Sequence, residues 1–211
     1  MSATRKIVVE VELEAPVALA WERTQTPDQH LAWDLRFTEI RYLDEKDERG
    51  YLAMDYRTRV AFGIHIRGFG HYLHSTPLRH STFEFDSHDW KSLITRGRGI
   101  WQYDPRGEAR TAFKTVYDYD VRFGLLGRIL DRLFFRKLLQ LATEWGFETL
   151  RQWCAGDEGA LARRASRLAF LRFFLARVLG RRPRDGCARS WIGPAGGAPE
   201  ALPKPIADRL P

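Results

Sequence analysis

FKTVYDYDVRFGLLGRILDRLFFRKLLQLATEWGFETLRQW, residues 113–153, holds the change of period that decides the fold. Its first nine residues alternate. Phe113, Tyr117, Tyr119 and Val121 fall on one face, and Lys114, Asp118, Asp120 and Arg122 fall on or beside the other. That is the period of a strand with one wet face. From Leu126 the apolar residues instead recur every three or four positions, through Ile129, Leu130, Leu133, Phe134, Leu138, Leu141, Trp145 and Leu150. The spacing predicts one helix over 125–154, about 45 Å long and able to cross a whole sheet. Gly127 and Gly146 are its weak points, or places of close packing.

Upstream, KIVVEVEL (6–13) alternates and reads as an edge strand. Pro16 opens a helix over about 16–25. Pro27 opens a second, ending near Trp33, and the proline between them makes a V rather than a rod. Six strands follow at 37–43, 50–60, 62–75, 80–86, 92–103 and 110–122, divided by Asp-Glu-Arg-Gly (47–50), Thr76-Pro77, Asp86-Ser87 and Asp-Pro-Arg-Gly (104–107). Trp101 and Tyr103 share the face opposite Arg96, Arg98 and Gln102. Short connections and one polar face predict an antiparallel sheet. The expectation is an α+β protein: a curved antiparallel sheet of about seven strands wrapped around a long C-terminal helix, with two short helices after the first strand.

Composition bounds the function. The 211 residues carry a net charge of +7, and +6 of it lies in residues 157–211, with eleven Lys/Arg against five acids. Residues 1–156 are nearly neutral, which argues against a nucleic-acid-binding core. Residues 1–156 read as one domain, 157–190 as a basic helical extension, and 191–211 as a Pro/Gly/Ala-rich tail expected to be disordered. In the extension Leu161, Leu168, Leu175 and Leu179 share a face, while Phe170, Phe173, Phe174 and Val178 circle the rest. Such a helix wants to dock on protein, with a membrane surface as the second choice, through residues 157–182. No run reaches the ~20 apolar residues of a membrane span, and no signal-peptide pattern follows Met1. Cys154 and Cys187 form no CxxC pattern. A reducing cytoplasm is the simplest setting.

Segments 9–40 (VEVELEAPVALAWERTQTPDQHLAWDLRFTEI) and 113–153, in this order, resemble the START-like superfamily, also called SRPBCC or Bet v 1-like. More narrowly, the Trp-Asp-x-Arg-Phe and Tyr-Asp-Tyr-x-x-Arg segments are similar to an uncharacterised bacterial SRPBCC group. The resemblance covers about residues 6–155 and implies the helix-grip fold. It also implies an apolar cavity beneath the long helix for a lipid-, sterol- or polyketide-like molecule. Some members of the superfamily resemble cyclases and dehydratases.

The expected ligand-binding wall is Trp33, Phe37, Tyr56, Phe62, Ile64, Trp101, Tyr103, Phe113, Tyr117, Tyr119 and Trp145. A hydrophobic small molecule in that cavity is the first expectation. A cyclase- or dehydratase-like enzyme working there by acid–base chemistry is the second, with Glu144, Arg96, Tyr117 and Tyr119 as weak candidates. An interaction module with a basic docking tail is the third. No cofactor is expected. No metal is expected either: five of the six histidines lie between 65 and 88, but His71 and His74 point to opposite strand faces and no HExxH occurs. Gly63, Gly68 and Gly70 form no phosphate loop and suggest bulges or sharp curvature. Asp-x-Arg-Phe occurs twice, at 34–37 and 120–123. Each copy sits where the period changes, so each is expected to clasp a junction rather than catalyse.

Overall fold

A computed structural model describes residues 5–59 and 64–193. The element order is β1 (Ile7–Leu13), α1 (Val17–Gln25), α2 (Pro27–Trp33), β2 (Phe37–Lys46), β3 (Leu52–Arg59), β4 (His65–Thr76), β5 (His80–Asp86), β6 (Ile94–Pro105) and β7 (Thr111–Val121). Then come α3 (Gly124–Leu130), one π-helical turn (Asp131–Phe135), α4 (Arg136–Cys154), α5 (Gly159–Arg164), α6 (Arg167–Val178) and β8 (Arg189–Ile192). The strands form one open antiparallel sheet in the order β2-β3-β4-β5-β6-β7-β1-β8. The expected helix-grip architecture is therefore present, with eight strands where the sequence suggested seven.

The eighth strand corrects the reading of β1 as an edge. β8 pairs with β1 from Ile7↔Ile192 to Glu10↔Arg189. It comes from the join between the basic extension and the tail, where a four-residue strand is too short to show a period. The tail from 194 onward lies outside the described residues, as does Phe62.

The inner face of the sheet carries Ile7, Val9, Val11 and Leu13 of β1 beside Phe113 and Tyr117 of β7, and Trp101 and Tyr103 of β6. α4 lies across it. Gly146 is where Trp33 seats: a Cβ there would stand 3.3 Å from the indole. Gly127 meets the carbonyl oxygen of Arg122, and a Cβ there would be 1.7 Å from it. Both glycines thus mark close packing.

Gly68 and Gly70 are not bulges. They sit in an unbroken ladder opposite Tyr56 and Met54, and the irregularity in β4 falls between Tyr72 and His74. Their purpose is room: the Tyr56 ring lies over Gly68, as Phe85 lies over Gly97 and Phe83 over Gly99. An aromatic side chain resting on a cross-strand glycine needs no side chain opposing it.

The apolar stripe of the long helix divides at the π turn. Leu141 and Leu150 of α4 are buried, but Leu126, Ile129, Leu130, Leu133 and Phe134 are exposed. In that first half, Gly127, Asp131 and Phe135 are the more buried positions. Periodicity shows that a stripe exists and not what it faces.

Candidate functional site

Between sheet and helix the side chains fall into a packed half and a looser half. In the packed half, Phe113 stacks on Phe147 at 4.7 Å between ring centres and on Tyr103 at 4.9 Å. Trp33 meets Phe147 edge-on at 5.9 Å, as Trp101 meets Phe113. The Trp33 indole donates to the Arg23 carbonyl at 2.9 Å. These rings are buried against one another, and contacts of this kind add specificity to plain burial.

The looser half lies over β2–β6. Phe37, Tyr56, Phe83 and Phe85 are only half-buried there, as are Ile94, Val121, Phe135 and Leu139. Phe37 meets Tyr56 edge-on at 5.5 Å. The Tyr56 hydroxyl donates to the Asp86 carbonyl at 3.1 Å, and burial raises its pKa, with Asp86 adding to the effect. Ile64 precedes the β4 ladder and is 43% exposed, so it joins no wall. Its numbering parity is that of an inward residue, but a residue beyond the last cross-strand pair is not held to the pleat.

A polar cluster joins the two halves. Asp34, fully buried at the end of α2, accepts from the Arg36 guanidinium at 2.6 Å and 2.9 Å and from the Arg36 backbone N–H at 3.0 Å. Arg36 Nη1 donates to Thr143 Oγ1 of α4 at 2.9 Å, and the Tyr117 hydroxyl shares the same Thr143 oxygen at 2.7 Å. His30 sits one helical turn before Asp34, with Nε2 3.1 Å from Oδ2. Its imidazole stacks on Trp33 and meets Phe37 and Trp101 edge-on. Burial pulls the His30 pKa below its ordinary value, although Asp34 pushes the other way. Burial pushes Asp34 upward, but Arg36 and the hydrogen bonds from His30 and Arg36 together hold it well below the usual carboxylate range.

The first Asp-x-Arg-Phe is therefore a clasp that ties α2, β2 and α4 together. The second copy works differently. Arg122 donates to the carbonyls of Ser87 at 2.6 Å and Asp89 at 3.0 Å, fixing the β5–β6 connection. Asp120 pairs with exposed Arg96 at 3.0 Å, so Arg96 stands away from the interior. Phe123 takes the left-handed conformation (φ 67°) that lets the chain turn into α3.

Three candidates hold structure elsewhere. The Tyr119 hydroxyl donates to Asp131 at 2.6 Å, and Arg136 bonds Asp131 at 2.7 Å and Asp118 at 2.8 Å, pinning the π turn to β7. Glu144 is buried on the side of α4 away from the aromatic core; it accepts from Arg177 Nε at 2.6 Å and from the Ser190 hydroxyl. Trp145 meets Phe173 at 5.1 Å and Phe170 at 6.2 Å, so it packs on α6 rather than facing the sheet. Helical spacing put Trp145 with the inward stripe, but α4 is covered on two sides, and spacing does not say which cover a residue meets. His30 and Thr143 were missed. The His30/Asp34 pair at i, i+4 was the available signal; Thr143 offered none.

On the opposite face of the sheet, a groove of about 550 Å³ is lined by Glu39, Arg41, Asp55, Arg57, Arg67 and Phe69, among others. Glu39 pairs there with Arg41 at 2.8 Å and Arg57 at 3.4 Å, a poor setting for an apolar ligand. Among the described residues, no group of three or more His, Cys, Asp or Glu side chains is placed to hold a metal ion.

This topology is the START-like helix-grip fold. A protein from Arthrobacter aurescens superposes with a TM-score of 0.58 at 13% identity, covering 77% of this chain and 93% of that one. A conserved protein from Geobacillus kaustophilus gives 0.57 at 11%, covering 72% and 95%. A START superfamily protein from Mycobacterium smegmatis gives 0.51 at 13%, covering 66% and 92%. In sequence, the chain is 40% identical over 155 residues to the uncharacterized membrane protein YndG of Bacillus subtilis (strain 168). The match takes in 71% of this chain and 57% of the relative's length. No family model matches the chain.

Proposed function

We propose that the protein binds a hydrophobic or aromatic small molecule in the looser half of the sheet–helix interior. The observation that carries this reading is the half-buried aromatic wall of Phe37, Tyr56, Phe83 and Phe85, with Phe135 and Leu139 on the helix side. Side chains of that size are normally driven fully inside. Three of the four lie over glycines, which keeps the wall flat. Arg36, whose guanidinium lies over the Phe37 ring at 5.4 Å, would meet a polar end of the ligand. The packed half, with Trp33, Trp101, Tyr103 and Phe113, supports the wall from behind.

Binding is favoured over cyclase or dehydratase chemistry because the inward phenols are engaged. Burial raises the pKa of both Tyr117 and Tyr119, and each hydroxyl is held, by Thr143 and by Asp131. Acid–base work would first have to break those bonds. The basic extension, proposed as a docking element for a protein or membrane surface, is half spoken for, because one side of α6 meets Trp145 and Glu144. A cytoplasmic setting fits two free cysteines.

Native mass spectrometry of freshly purified protein tests the reading. The expected result is an additional mass released on denaturation, and saturable binding of a fluorescent fatty-acid probe that Phe85→Asp weakens about tenfold or more. Absence of both the additional mass and saturable probe binding rejects it.

A further inference from the structure

The structure points to a second surface, and we propose that α3, the π turn and α6 together dock on an anionic lipid bilayer. From Phe123 to Phe134 every exposed residue is apolar, glycine or arginine. Leu125, Leu126, Ile129, Leu130, Leu133 and Phe134 form the apolar part, with Leu133 77% exposed. Arg128 and Arg132 stand among them. The segment's one acid, Asp131, is buried and taken by Tyr119 and Arg136.

α6 continues the surface. Phe134 meets Phe174 at 6.4 Å between ring centres, which joins the two helices. Beyond that contact, Leu171, Leu175, Val178 and Leu179 are exposed, the last at 81%. Arg167, Arg172, Arg181 and Arg182 are exposed around them. Residues 159–184 hold eight arginines and no acid.

The chemistry selects the occupant. Large aliphatic side chains left in water are the signature of an interaction site. Interleaving them with cations alone, and no anions, suits acyl chains beneath negatively charged headgroups. A second copy of this chain would bring arginines against arginines with no carboxylate on either face to neutralise them. Nucleic acid would use the arginines and leave the leucines without a partner. No helix among the described residues is long and apolar enough to cross a membrane. This surface takes in the first half of the long helix, and it does not depend on the small-molecule reading.

Co-sedimentation with vesicles tests it, using the whole chain, phosphatidylcholine alone and phosphatidylcholine with phosphatidylglycerol. Binding is expected with the anionic vesicles, with at least a tenfold weaker association to the neutral ones. Raising salt from 0.1 to 0.5 M should loosen it. Arg128→Ser and Arg172→Ser should each weaken it about fivefold. Leu126→Asp/Leu133→Asp, at positions too exposed to disturb folding, should abolish it while leaving the unfolding temperature within a few degrees. Equal binding to both vesicles, or binding that the aspartate pair leaves intact, overturns the proposal. So does a failure to bind accompanied by a dimer or a protein complex that the aspartate pair dissolves.

Discussion

At the scale of single residues, His30 and Asp34 set how the fold responds to acid. Both bind protons less readily in the folded chain than outside it. Burial holds His30 below its ordinary value near 6.5. The unfolded chain therefore takes up a proton at pH values where the folded one does not, and stability falls as the pH drops below about 6.5. Asp34 joins only further down. Its contribution is complete above about 3.8 and disappears as the pH falls through its lower folded value. Urea unfolding between pH 5 and 8 should show His30→Gln, which keeps a donor toward Asp34, with a flatter pH dependence than the parent. Equal slopes would mean that folding leaves the His30 pKa where it is in the unfolded chain. Asp34→Ala is expected to cost about 3–5 kcal/mol, because it leaves the Arg36 guanidinium without its counter-charge. The sequence showed Asp34 and Arg36 as a clasp because charges beside a change of period have few other uses there. It could not show Thr143, 107 residues from Arg36, because long-range hydrogen bonds leave no local pattern.

At the scale of elements, the strands were legible and the purpose of their glycines was not. Alternation found β6 and β7 because one face of each is wet. Glycine in a strand has two meanings, a bulge or a close neighbour, and sequence does not separate them. In β6 the Phe85 ring occupies the space a side chain at Gly97 would take, with a Cβ there 2.2 Å from the ring. Gly97→Ala should therefore cost about 1–3 kcal/mol of stability. Placed on Phe85→Ala, the same change should be neutral or slightly stabilising, since alanine loses less freedom on folding than glycine. A double-mutant cycle by chemical denaturation reads the difference; the same penalty in both backgrounds would rule out the ring-on-glycine account. The long helix was legible as one unit because its apolar repeat is nearly continuous. Its division at Asp131–Phe135 was hidden, because a π turn adds a residue without adding any distinctive one.

At the scale of the whole molecule, the basic extension holds the domain as well as presenting a surface. β8 covers the edge of β1, the Ala188 N–H donates to Glu148 at 3.0 Å, Arg177 neutralises buried Glu144, and the Ser190 hydroxyl donates to it. Charge asymmetry exposed the extension in the sequence, and its all-round apolar pattern pointed to burial. Which residues receive it depends on tertiary placement alone. Ending the chain at Gly156 would strip Glu144 of both partners and bare Trp145. A buried carboxylate that loses its cation costs about 3–5 kcal/mol, before the apolar loss is counted. The shortened chain should therefore melt well below the full one or fail to fold cooperatively. Glu144→Leu separates charge from packing, because its sign should reverse. In the full chain it orphans Arg177 and destabilises; in the shortened chain it removes the bare carboxylate and restores part of the loss. Thermal unfolding of the four proteins followed by circular dichroism gives the comparison. If the shortened chain is as stable as the full one, the extension is an appendage, and the contacts at Glu144 and β1 contribute nothing to holding the sheet and helix together.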